Sequence, residues 1–516
     1  MTETQLFDKT IVVNSKDNVA VAKTAIGLGT LIGSNGSNLR TIQTVPPGHK
    51  VALQTINKGQ PVIRYGEIIG IANQNISAGN TVHNHNMIPD NENQTVPKSV
   101  SPLPVQFLPN EKIPSFQGFK RDWGGVGTRN YVVVLSTVIC SSHPTQLIAR
   151  HFEDQFDDDD NFDGVIPITH QEGCGGEKGD DLDQLMRVYN GIMYHPNVAA
   201  ILLVGLGCEE SNVECVQGCH SSLPLQLQNN TKGRVRYLTI QGSGGTSKTV
   251  QQGITIVEEL VMEARKYHRT EISAAHLFLG LECGGSDAYS GISANPALGH
   301  TSDLLVSCGG TTVLPETPEI YGAEHLLMRG ASSVKTAQSL WDIIERYKAY
   351  AASRGGKLDN NPSPGNMVGG ISTIAEKSLG AIRKAGSTPL QAVVNYAEKI
   401  TQRGFIIMDS PGYDTPSISG LVSSGANIVC FTTGRGTPTG NPIVPVLKIA
   451  TNSQMFKHME ENMDINAGTI VDGTQTLEEV GQEIFQKIIS VSSGEPAKNE
   501  LTGHREFAIW RAGAVL

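Results

Sequence analysis

Four cysteines of this 516-residue chain each follow a short, continuously apolar run. They are Cys140, Cys174, Cys208 and Cys283. If the runs are parallel strands, the cysteines meet at the carboxyl edge of a sheet, where open α/β folds bind ligands. Thiolates suit iron or zinc, and three of them leave a position open on an iron ion or an iron–sulfur cluster. Cysteine also packs as a small hydrophobe, but four equivalent positions favour metal binding.

Histidines offer a second set of candidate ligands. His83 and His85 alternate within a short polar segment, so on a strand edge both face one side and can ligate a metal or move protons. Two exposed polar histidines would give the same pattern, and both interpretations stay open. Cys215, Cys219 and His220 also lie close in sequence, but no second ligand pair follows at zinc-finger spacing, which favours ordinary residues.

Two further segments have simple interpretations. Residues Gly242–Thr249 follow an apolar run and precede a helical pattern, as a phosphate-binding loop does, but Ser247 stands where that loop needs glycine before Lys248. The backbone N–H groups of this segment can still face an anion at a helix N-terminus. The acidic run Asp157–Asp160 is typical of a solvated loop.

The elements that position the cysteines are predicted from the apolar runs. Short runs that alternate with amphipathic stretches indicate parallel, Rossmann-like α/β sheets covered by helices on both faces. The predicted strands are Tyr131–Leu135, Gly164–Ile168, Ala199–Val204, Arg236–Ile240 and Leu277–Leu281. The predicted helices include Val250–His268, Ala323–Ser353 and Leu477–Val491.

The first part of the chain has a different pattern. Strand-like runs at Ile11–Val13, Lys50–Leu53 and Pro61–Tyr65 are separated by glycine turns, which indicates a small all-β domain. The following segment is rich in Asn, Pro, Ser and Gln, as linkers are. The predicted organisation is a β domain over 1–90, a linker over 91–115, an α/β domain over 116–270 and a second α/β domain over 271–516.

Composition limits the classes of partner and compartment. The net charge of −10 argues against nucleic acid or an anionic membrane as the main partner. No apolar run approaches the roughly 20 residues that span a bilayer, and residues 1–18 lack the pattern of a signal peptide. We therefore expect a cytoplasmic protein whose cysteines are reduced and available to bind metal or to react.

Several segments resemble one enzyme family over nearly the whole chain. They are Gly127–Asn130, Gly205–Glu209, Leu281–Asp287, Ser293–Pro296, Asn361–Asn366, Lys377–Gly380, Phe431–Pro438 and Asp464–Gly468. In these segments the chain resembles the altronate/galactarate dehydratase family. Pro47–Lys50 and Arg64–Gly66 resemble the small SAF-type β-clip domain of that family.

The resemblance implies a reaction, a cofactor and an assembly. It implies a lyase that removes water from an aldonate or aldarate with Fe2+ or Mn2+, and a homodimer in which the 116–270 domain is the candidate for dimerisation. Pro318–Glu324, the His83 and His85 pair and the ending Arg505–Ile509 resemble altronate enzymes more than galactarate enzymes. D-altronate is therefore the expected substrate, and 2-dehydro-3-deoxy-D-gluconate is the expected product.

Two positions depart from the altronate pattern. Gln171–Glu172 stands where those enzymes tend to have Thr-Tyr, and Thr439 replaces an aromatic residue. Both lie in expected active-site loops, so galactarate or another hydroxy acid stays open as the substrate.

Dehydration of a 2,3-dihydroxy acid assigns roles to particular side chains. A metal that chelates the carboxylate and a hydroxyl stabilises the enolate-like charge, and a 4Fe–4S cluster with one open iron is the alternative to a single ion. His170 is the candidate acid or base, and Arg435 is the clamp on the substrate carboxylate. Polar residues of glycine-rich loops are candidate catalytic or sugar-binding groups, with turn formation as the alternative. These residues are Asp287, Asn295, Asn366 and Thr433.

Two other classes of function stay open. A P-loop-like phosphotransferase would use Lys248 and bind nucleotide. A non-catalytic protein would bind the sugar acid without releasing a keto acid.

Overall fold

A computed structural model describes residues 5–6, 8–32, 39–90, 94–156, 159–175, 179–211 and 233–513. Its N-terminal domain consists of short antiparallel strands joined by tight turns. The strands are β1 (Gln5–Leu6), β2 (Thr10–Val12), β3 (Val19–Ala22), β4 (Leu31–Ile32), β5 (Leu39–Arg40), β6 (Lys50–Ala52), β7 (Pro61–Arg64), β8 (Glu67–Ala72), β9 (Thr81–Val82) and β10 (Met87–Ile88). They form sheets in the orders β1-β2-β3-β6-β9, β10-β8-β7 and β4-β5.

The second domain is built on a parallel sheet of four strands in the order β14-β13-β15-β16. Its strands are β11 (Ser115–Lys120), β12 (Val126–Gly127), β13 (Tyr131–Ser136), β14 (Gly164–Ile168), β15 (Val198–Gly205), β16 (Val235–Thr239) and β17 (Thr270–Ser273). Its helices are α1 (Ser142–Arg150), α2 (Asp180–Met193), α3 (Ile240–Ser243) and α4 (Thr246–Ala264). Strands β11 and β17 pair antiparallel, which brings the two ends of this domain together.

The third domain contains a seven-stranded parallel sheet in the order β20-β21-β19-β18-β22-β23-β24. The strands are β18 (Phe278–Cys283), β19 (Thr311–Leu314), β20 (Leu390–Val394), β21 (Gly404–Met408), β22 (Ile428–Thr433), β23 (Val446–Ala450) and β24 (Ile465–Asn466). The helices are α5 (Ala294–Ser307), α6 (Glu324–Arg329), α7 (Val334–Ser353), α8 (Pro364–Val368), α9 (Ile374–Ala381), α10 (Asp414–Ser424), α11 (Ser453–His458), α12 (Gly468–Asp472), α13 (Leu477–Ser492) and α14 (Lys498–Leu501).

Burial explains why these runs are strands. Every residue of β13, β15, β21, β22 and β23 is buried, as expected for a parallel sheet covered on both faces. One apolar cluster joins side chains of both large sheets with α2 and α10, so the second and third domains share a core. A second cluster fills the other face of the seven-stranded sheet and extends into the β domain.

The predicted fold class is confirmed: a small all-β region precedes parallel sheets covered by helices. Two details differ from the expectation. The run Leu277–Leu281 belongs to the seven-stranded sheet, not to the sheet of the other four runs, because β18 pairs with β19 and β22. His83 and His85 lie in a turn between β9 and β10 and not on a strand edge, so His83 is buried while His85 is exposed.

Within the ranges that the structure describes, no helix combines the length and the apolar character needed to cross a membrane.

Candidate active site

Three potential metal ligands meet at the carboxyl edge of the seven-stranded sheet. Cys283 ends β18, and Glu316 and Glu319 follow the neighbouring strand β19. The Cys283 Sγ lies 3.6 Å from Glu316 Oε2 and 3.4 Å from Glu319 Oε2. Among the described residues, this is the one group of three thiol, imidazole or carboxylate ligands whose atoms all lie within 4.8 Å of one another. All three side chains are buried.

The segment after β19 holds the two glutamates in place. Glu316 has a left-handed backbone with φ of 67°, which is rare for a residue with a Cβ and marks a position fixed by its surroundings. Its N–H donates to Ser410 Oγ at 2.7 Å, which ties the segment to the loop after β21. A single 3-10 turn over Thr317–Glu319 then brings Glu319 back toward Cys283.

Two buried lysines face the glutamates. Lys377 pairs with Glu319, and Lys384 Nζ lies 3.6 Å from Glu316 Oε2. Burial favours the neutral form of Glu319, but the ammonium groups of Lys377 and Lys384 outweigh it and lower the pKa of this carboxyl. Burial, reinforced by the neighbouring carboxylate of Glu282, raises the pKa of Glu316 well above its usual value.

The donor set can accept a further cation. Glu316 Oε1 is buried and has no hydrogen-bond partner among the described residues, so one oxygen is available for a ligand. Burial raises the pKa of the Cys283 thiol to about 11 against the opposing effect of Lys384. A metal ion would favour the thiolate, because coordination to a thiol requires its deprotonation. One sulfur and two carboxylates suit a divalent transition metal such as iron or manganese.

A lysine on β23 lies near this edge with its amine buried and unpaired. Lys448 has no exposed surface, and its Nζ has no hydrogen-bond partner among the described residues. The Nζ lies 3.6 Å from the centre of the Phe431 ring. Burial lowers the pKa of Lys448 to about 7, although several carboxylates act in the opposite direction. The amine is therefore partly neutral near pH 7.

Asp414 is the acidic neighbour of Lys448. It is the first residue of α10, and its carboxylate packs so tightly on Gly284 that a Cβ there would lie 2.2 Å from Oδ2. Burial, together with the charges of Glu282 and Glu319, raises the pKa of Asp414 to about 7. An acid and a base with pKa values near neutrality thus lie on one side of the sheet edge.

Two residues on β18 point to opposite faces of the sheet and connect the two groups. Glu282 lies on the face of Lys448 and accepts a hydrogen bond from Ser417 Oγ at 2.7 Å. Cys283, the next residue, faces Glu316 and Glu319. The strand therefore places a possible metal centre beside an acid–base pair.

The predicted polar loop residues lie at the same sheet edge, and their side chains form hydrogen bonds with neighbouring loop and strand atoms. Asp287 accepts hydrogen bonds from the backbone N–H groups of Tyr289 and Ser290 and from the side chains of Ser290, Thr451 and Asn452. Burial raises the pKa of Asp287 against these bonds. This carboxyl fixes the loop after β18 to the end of β23.

The other three predicted sugar-binding residues have similar partners. Asn295 donates to Gly380 O and accepts from Thr432 Oγ1. Asn366 accepts from the N–H and hydroxyl of Ser363 and donates to Ser286 O. Thr433 Oγ1 accepts the N–H groups of Gly436 and Thr437. These bonds hold the loops around the site, and a role in substrate binding stays a prediction.

Arg435 and His170 differ in exposure. Arg435 is exposed on the loop after β22, where its backbone N–H donates to Gly285 O at 2.9 Å, so its guanidinium is accessible to a ligand. His170 is buried in the second domain, where Nε2 donates to Ser136 O at 2.8 Å and Nδ1 accepts the Glu172 N–H at 3.1 Å. Burial lowers the pKa of His170 to about 4. Both ring nitrogens have protein partners, and His170 also lines the cavity between the second and third domains, so its role as acid or base stays a prediction.

The remaining candidates lie apart from this edge. Cys140, Cys174 and Cys208 are exposed on the second domain, so the structure separates them from Cys283. His83 stacks on His49 with ring centres 5.2 Å apart and binds Met367 O, whereas His85 is exposed. Cys215, Cys219, His220, Asp157 and Asp158 lie outside the described residues.

Five charged residues of this site were not predicted from the sequence. They are Glu282, Glu316, Glu319, Asp414 and Lys448. A recognisable feature was available for two of them: Glu282 and Lys448 each interrupt a continuously apolar strand run, where a charge is costly unless it has a function or a partner. The other three follow strand ends, where polar residues are common.

Three family models together match nearly the whole chain. The Altronate/galactarate dehydratase SAF domain matches residues 8–89, and the second domain of D-galactarate dehydratase/Altronate hydrolase matches residues 118–265. The C-terminal domain of D-galactarate/Altronate dehydratase matches residues 274–515, which contain the Cys283 group, Asp414 and Lys448.

Full-length relatives agree with these matches. The altronate dehydratase of Bacillus subtilis (strain 168) is 34% identical over 506 residues, covering 98% of this chain and 99% of the relative. The altronate dehydratase of Escherichia coli (strain K12) is 35% identical over 509 residues, covering 98% and 99%. The galactarate dehydratase (L-threo-forming) of the same strain is 34% identical over 525 residues, covering 98% and 97%. The chain therefore belongs to the altronate/galactarate dehydratase family.

Proposed function

We propose that this protein dehydrates a sugar acid, with D-altronate as the substrate and 2-dehydro-3-deoxy-D-gluconate and water as the products. The observation that carries the proposal is the buried Cys283, Glu316 and Glu319 group beside Asp414 and Lys448 at the carboxyl edge of the large sheet. Two full-length altronate dehydratases among the relatives support the choice of substrate. Galactarate is the alternative, because one equally similar relative acts on it.

Cys283, Glu316 and Glu319 would hold the metal, Fe2+ or Mn2+. The fit rests on the unpaired Glu316 Oε1 and on the mixed sulfur and oxygen donors. A bound divalent ion supplies Lewis-acid stabilisation of the negative charge that develops on the substrate carboxylate and its neighbouring oxygen. Lys377 and Lys384 keep the carboxylates oriented and partly neutralise them before the ion arrives.

Lys448 and Asp414 would move the protons. In its neutral form Lys448 accepts the proton from C2, and in its protonated form Asp414 donates to the hydroxyl that leaves C3 as water. A base and an acid with pKa values near the working pH transfer protons most effectively. Arg435 would bind the substrate carboxylate through its planar guanidinium. The enol that results tautomerises to the 2-keto-3-deoxy acid.

An anaerobic assay tests the proposal. The protein is supplied with Fe2+ or Mn2+ and a panel of aldonates and aldarates, and the released 2-keto-3-deoxy acid is measured. We expect release from D-altronate above all others. Binding of the acid without release of a keto acid would contradict the proposal. Preferred turnover of galactarate would identify galactarate, and not D-altronate, as the substrate.

The ligand assignment has its own control. We expect Glu316→Gln to lower Fe2+ affinity at least about 10-fold, as much as loss of a supporting group alone causes at other metal sites. Cys308→Ser is the matched control, because Cys308 is also buried in the third domain but lies outside the group. Equal Fe2+ affinity in the two variants would exclude Glu316 as a ligand.

We also infer a cytoplasmic homodimer from the family resemblance. Light scattering of the purified protein and fractionation of cells test these two points.

A further inference from the structure

Three exposed thiols end three neighbouring strands of the second domain. Cys140, Cys174 and Cys208 follow β13, β14 and β15, which are adjacent and parallel in the order β14-β13-β15. Their loops therefore leave the same edge of the small sheet. All three cysteines are free and exposed, although free cysteine is among the residues most often buried.

Hydrogen bonds connect each of the three loops to the other two. The Ile139 N–H donates to Glu172 O at 2.8 Å, which joins the Cys140 loop to the Cys174 loop. The Glu210 N–H donates to Cys174 O at 3.1 Å, which joins the Cys174 loop to the Cys208 loop. The Thr137 hydroxyl donates to Glu209 Oε1 at 2.8 Å, which joins the Cys140 loop to the Cys208 loop. The thiols are thus held on one preorganised platform.

Glu209 makes the platform rigid. Its carboxylate also accepts the N–H groups of Leu206 and Gly207, and these backbone bonds lower the pKa of Glu209 although burial opposes them. Such a buried, fully bonded carboxylate fixes a loop from within.

A single ion does not fit all three thiols in this arrangement. Ligands of one ion with metal–sulfur bonds of about 2.3 Å cannot stand farther apart than about 4.6 Å. Among the described residues only the Cys283 group meets a 4.8 Å limit, so Cys140, Cys174 and Cys208 do not all ligate one ion in this arrangement. An iron–sulfur cluster binds each thiolate on a different iron atom, which separates the sulfurs further.

The surroundings also suit a cluster. Gln241 Nε2 donates to the Cys208 sulfur at 3.3 Å, the kind of bond that tunes cluster potentials. A cavity of about 730 Å³ begins beside the platform and is lined by Ile139, Glu172, Tyr413 and Arg511. It lies between the second and third domains, and the Cys140 and Cys174 loops contribute Ile139 and Glu172 to its wall.

We propose that Cys140, Cys174 and Cys208 bind an iron–sulfur cluster of the 4Fe–4S type, as a second site separate from the Cys283 group. Three protein thiolates leave one iron open, and the adjacent cavity has room for a carboxylate or hydroxyl ligand on it. The inference goes beyond the proposed function, because it stands whether or not the Cys283 group holds the catalytic metal.

The experiment is anaerobic reconstitution of the full chain with Fe3+, sulfide and dithiothreitol as the reductant. Iron and acid-labile sulfide per chain, visible absorption and the EPR spectrum after reduction are measured. We expect about four sulfide per chain in the wild type, with about four iron atoms in the cluster and up to one more at the Cys283 group. Cys140→Ser, Cys174→Ser and Cys208→Ser should each lose most of the sulfide. Because these side chains are exposed, the variants should keep the wild-type thermal unfolding curve.

Two controls separate this proposal from the proposed function. Cys283→Ser should lose dehydration and keep the sulfide, and Cys308→Ser should keep both. Iron without sulfide in the wild type would overturn the cluster. Retention of sulfide in the variant that combines Cys140→Ser, Cys174→Ser and Cys208→Ser would overturn the assignment of ligands. Loss of sulfide in Cys215→Ser or Cys219→Ser, with retention in that triple variant, would overturn it as well.

Discussion

Lys448 is a charged side chain in the interior of the large sheet, and its burial sets its chemistry. Its Nζ has the face of Phe431 as its neighbour but no hydrogen-bond acceptor within the described residues. An unpaired buried ammonium is costly, so the neutral amine becomes accessible near pH 7. A lysine with this property in a dehydratase family is better explained by proton transfer than by packing.

Lys448→Met tests this role. Methionine keeps the length and apolar stem, so we expect normal folding with kcat lower by about 10²–10⁴-fold, the usual contribution of a general base. Lys457→Met on α11 is the control, because that lysine is exposed. Full activity of the Lys448 variant would refute the assignment.

The pH dependence of the wild type follows from the same pKa. The base must be neutral and the acid Asp414 must be protonated, so kcat/KM should pass through a maximum near pH 7. The carboxylates that face Lys448 are Asp414, Asp464, Glu282 and Glu506, and all four oppose the lowering of the Lys448 pKa by burial.

The lowered pKa of Lys448 also affects stability. Between pH of about 7 and 10.5 the unfolded chain binds more protons than the folded chain, so the free energy of unfolding should rise with pH over that window. Chemical denaturation should show this rise in the wild type and not in the methionine variant.

The site residues show what the sequence could and could not predict. Cys283 was predicted to lie at the end of a strand, and Asp287 and Arg435 to lie in glycine-rich loops, as they do, but the expected meeting of Cys283 with the other three cysteines was wrong. The partners of Cys283 were not predicted, because Glu316 reaches it through pairing of β18 with β19, a contact between segments about 30 residues apart. No local pattern encodes which strand becomes the neighbour.

Helices α2 and α10 form the main contact between the second and third domains. Gly191 on α2 lies against the backbone of Ser423 on α10, where a Cβ would stand 2.2 Å from the Ser423 oxygen. This distance is too short for any side chain, and the opposing atom is backbone that cannot rotate away. The close crossing keeps the platform of thiols and the large sheet on the two sides of one cavity.

Gly191→Ala should therefore loosen the docking of the two domains. The added methyl group forces α2 away from α10, at a cost of about 1–3 kcal/mol that is typical of overpacking. Thermal unfolding should shift to lower temperature, and KM for the acid should rise if substrate binds in the cavity. Gly365→Ala is the matched helical control, since its nearest neighbour is the Ser363 hydroxyl at 3.9 Å. Equal unfolding of the two variants would show that the crossing tolerates the methyl group.

The elements themselves were predictable, whereas the pairing of their strands was not. The five apolar runs correspond to β13, β14, β15, β16 and β18 to within a few residues, and the runs at β13 and β15 are buried throughout, as in strands covered on both faces. The run at β18 has the same composition as the others but pairs in a different sheet. Pairing depends on long-range packing, which apolar composition does not specify.

The β domain is held on the third domain by a buried ionic contact. Glu376 on α9 pairs with Lys50 and Arg64 of the β domain, and all three side chains are at most 1% exposed. Lys50 Nζ also donates to Gly370 O at 2.8 Å, and Arg64 Nη2 donates to Ala288 O at 2.6 Å. The β domain thus contacts the loop that begins with Asp287, and its position affects the candidate active site.

Glu376→Gln should separate the two domains, because it leaves two buried cations without a counter-charge. Removing one partner of a buried pair costs about 3–5 kcal/mol, so we expect a lower unfolding temperature, faster proteolysis within residues 91–115 and reduced kcat. The pKa of Glu376 is about 2 in the folded protein, since Lys50 and Arg64 outweigh the effect of burial, against 4.5 when unfolded. Wild-type stability should therefore fall as pH falls from about 4.5 toward 2, and the glutamine variant should lack that part of the acid transition.

Glu478→Gln, at an exposed carboxylate on α13, should change none of these measurements. If the two variants behave alike, the ionic contact does not hold the β domain, and packing of the apolar cluster that spans both domains is sufficient.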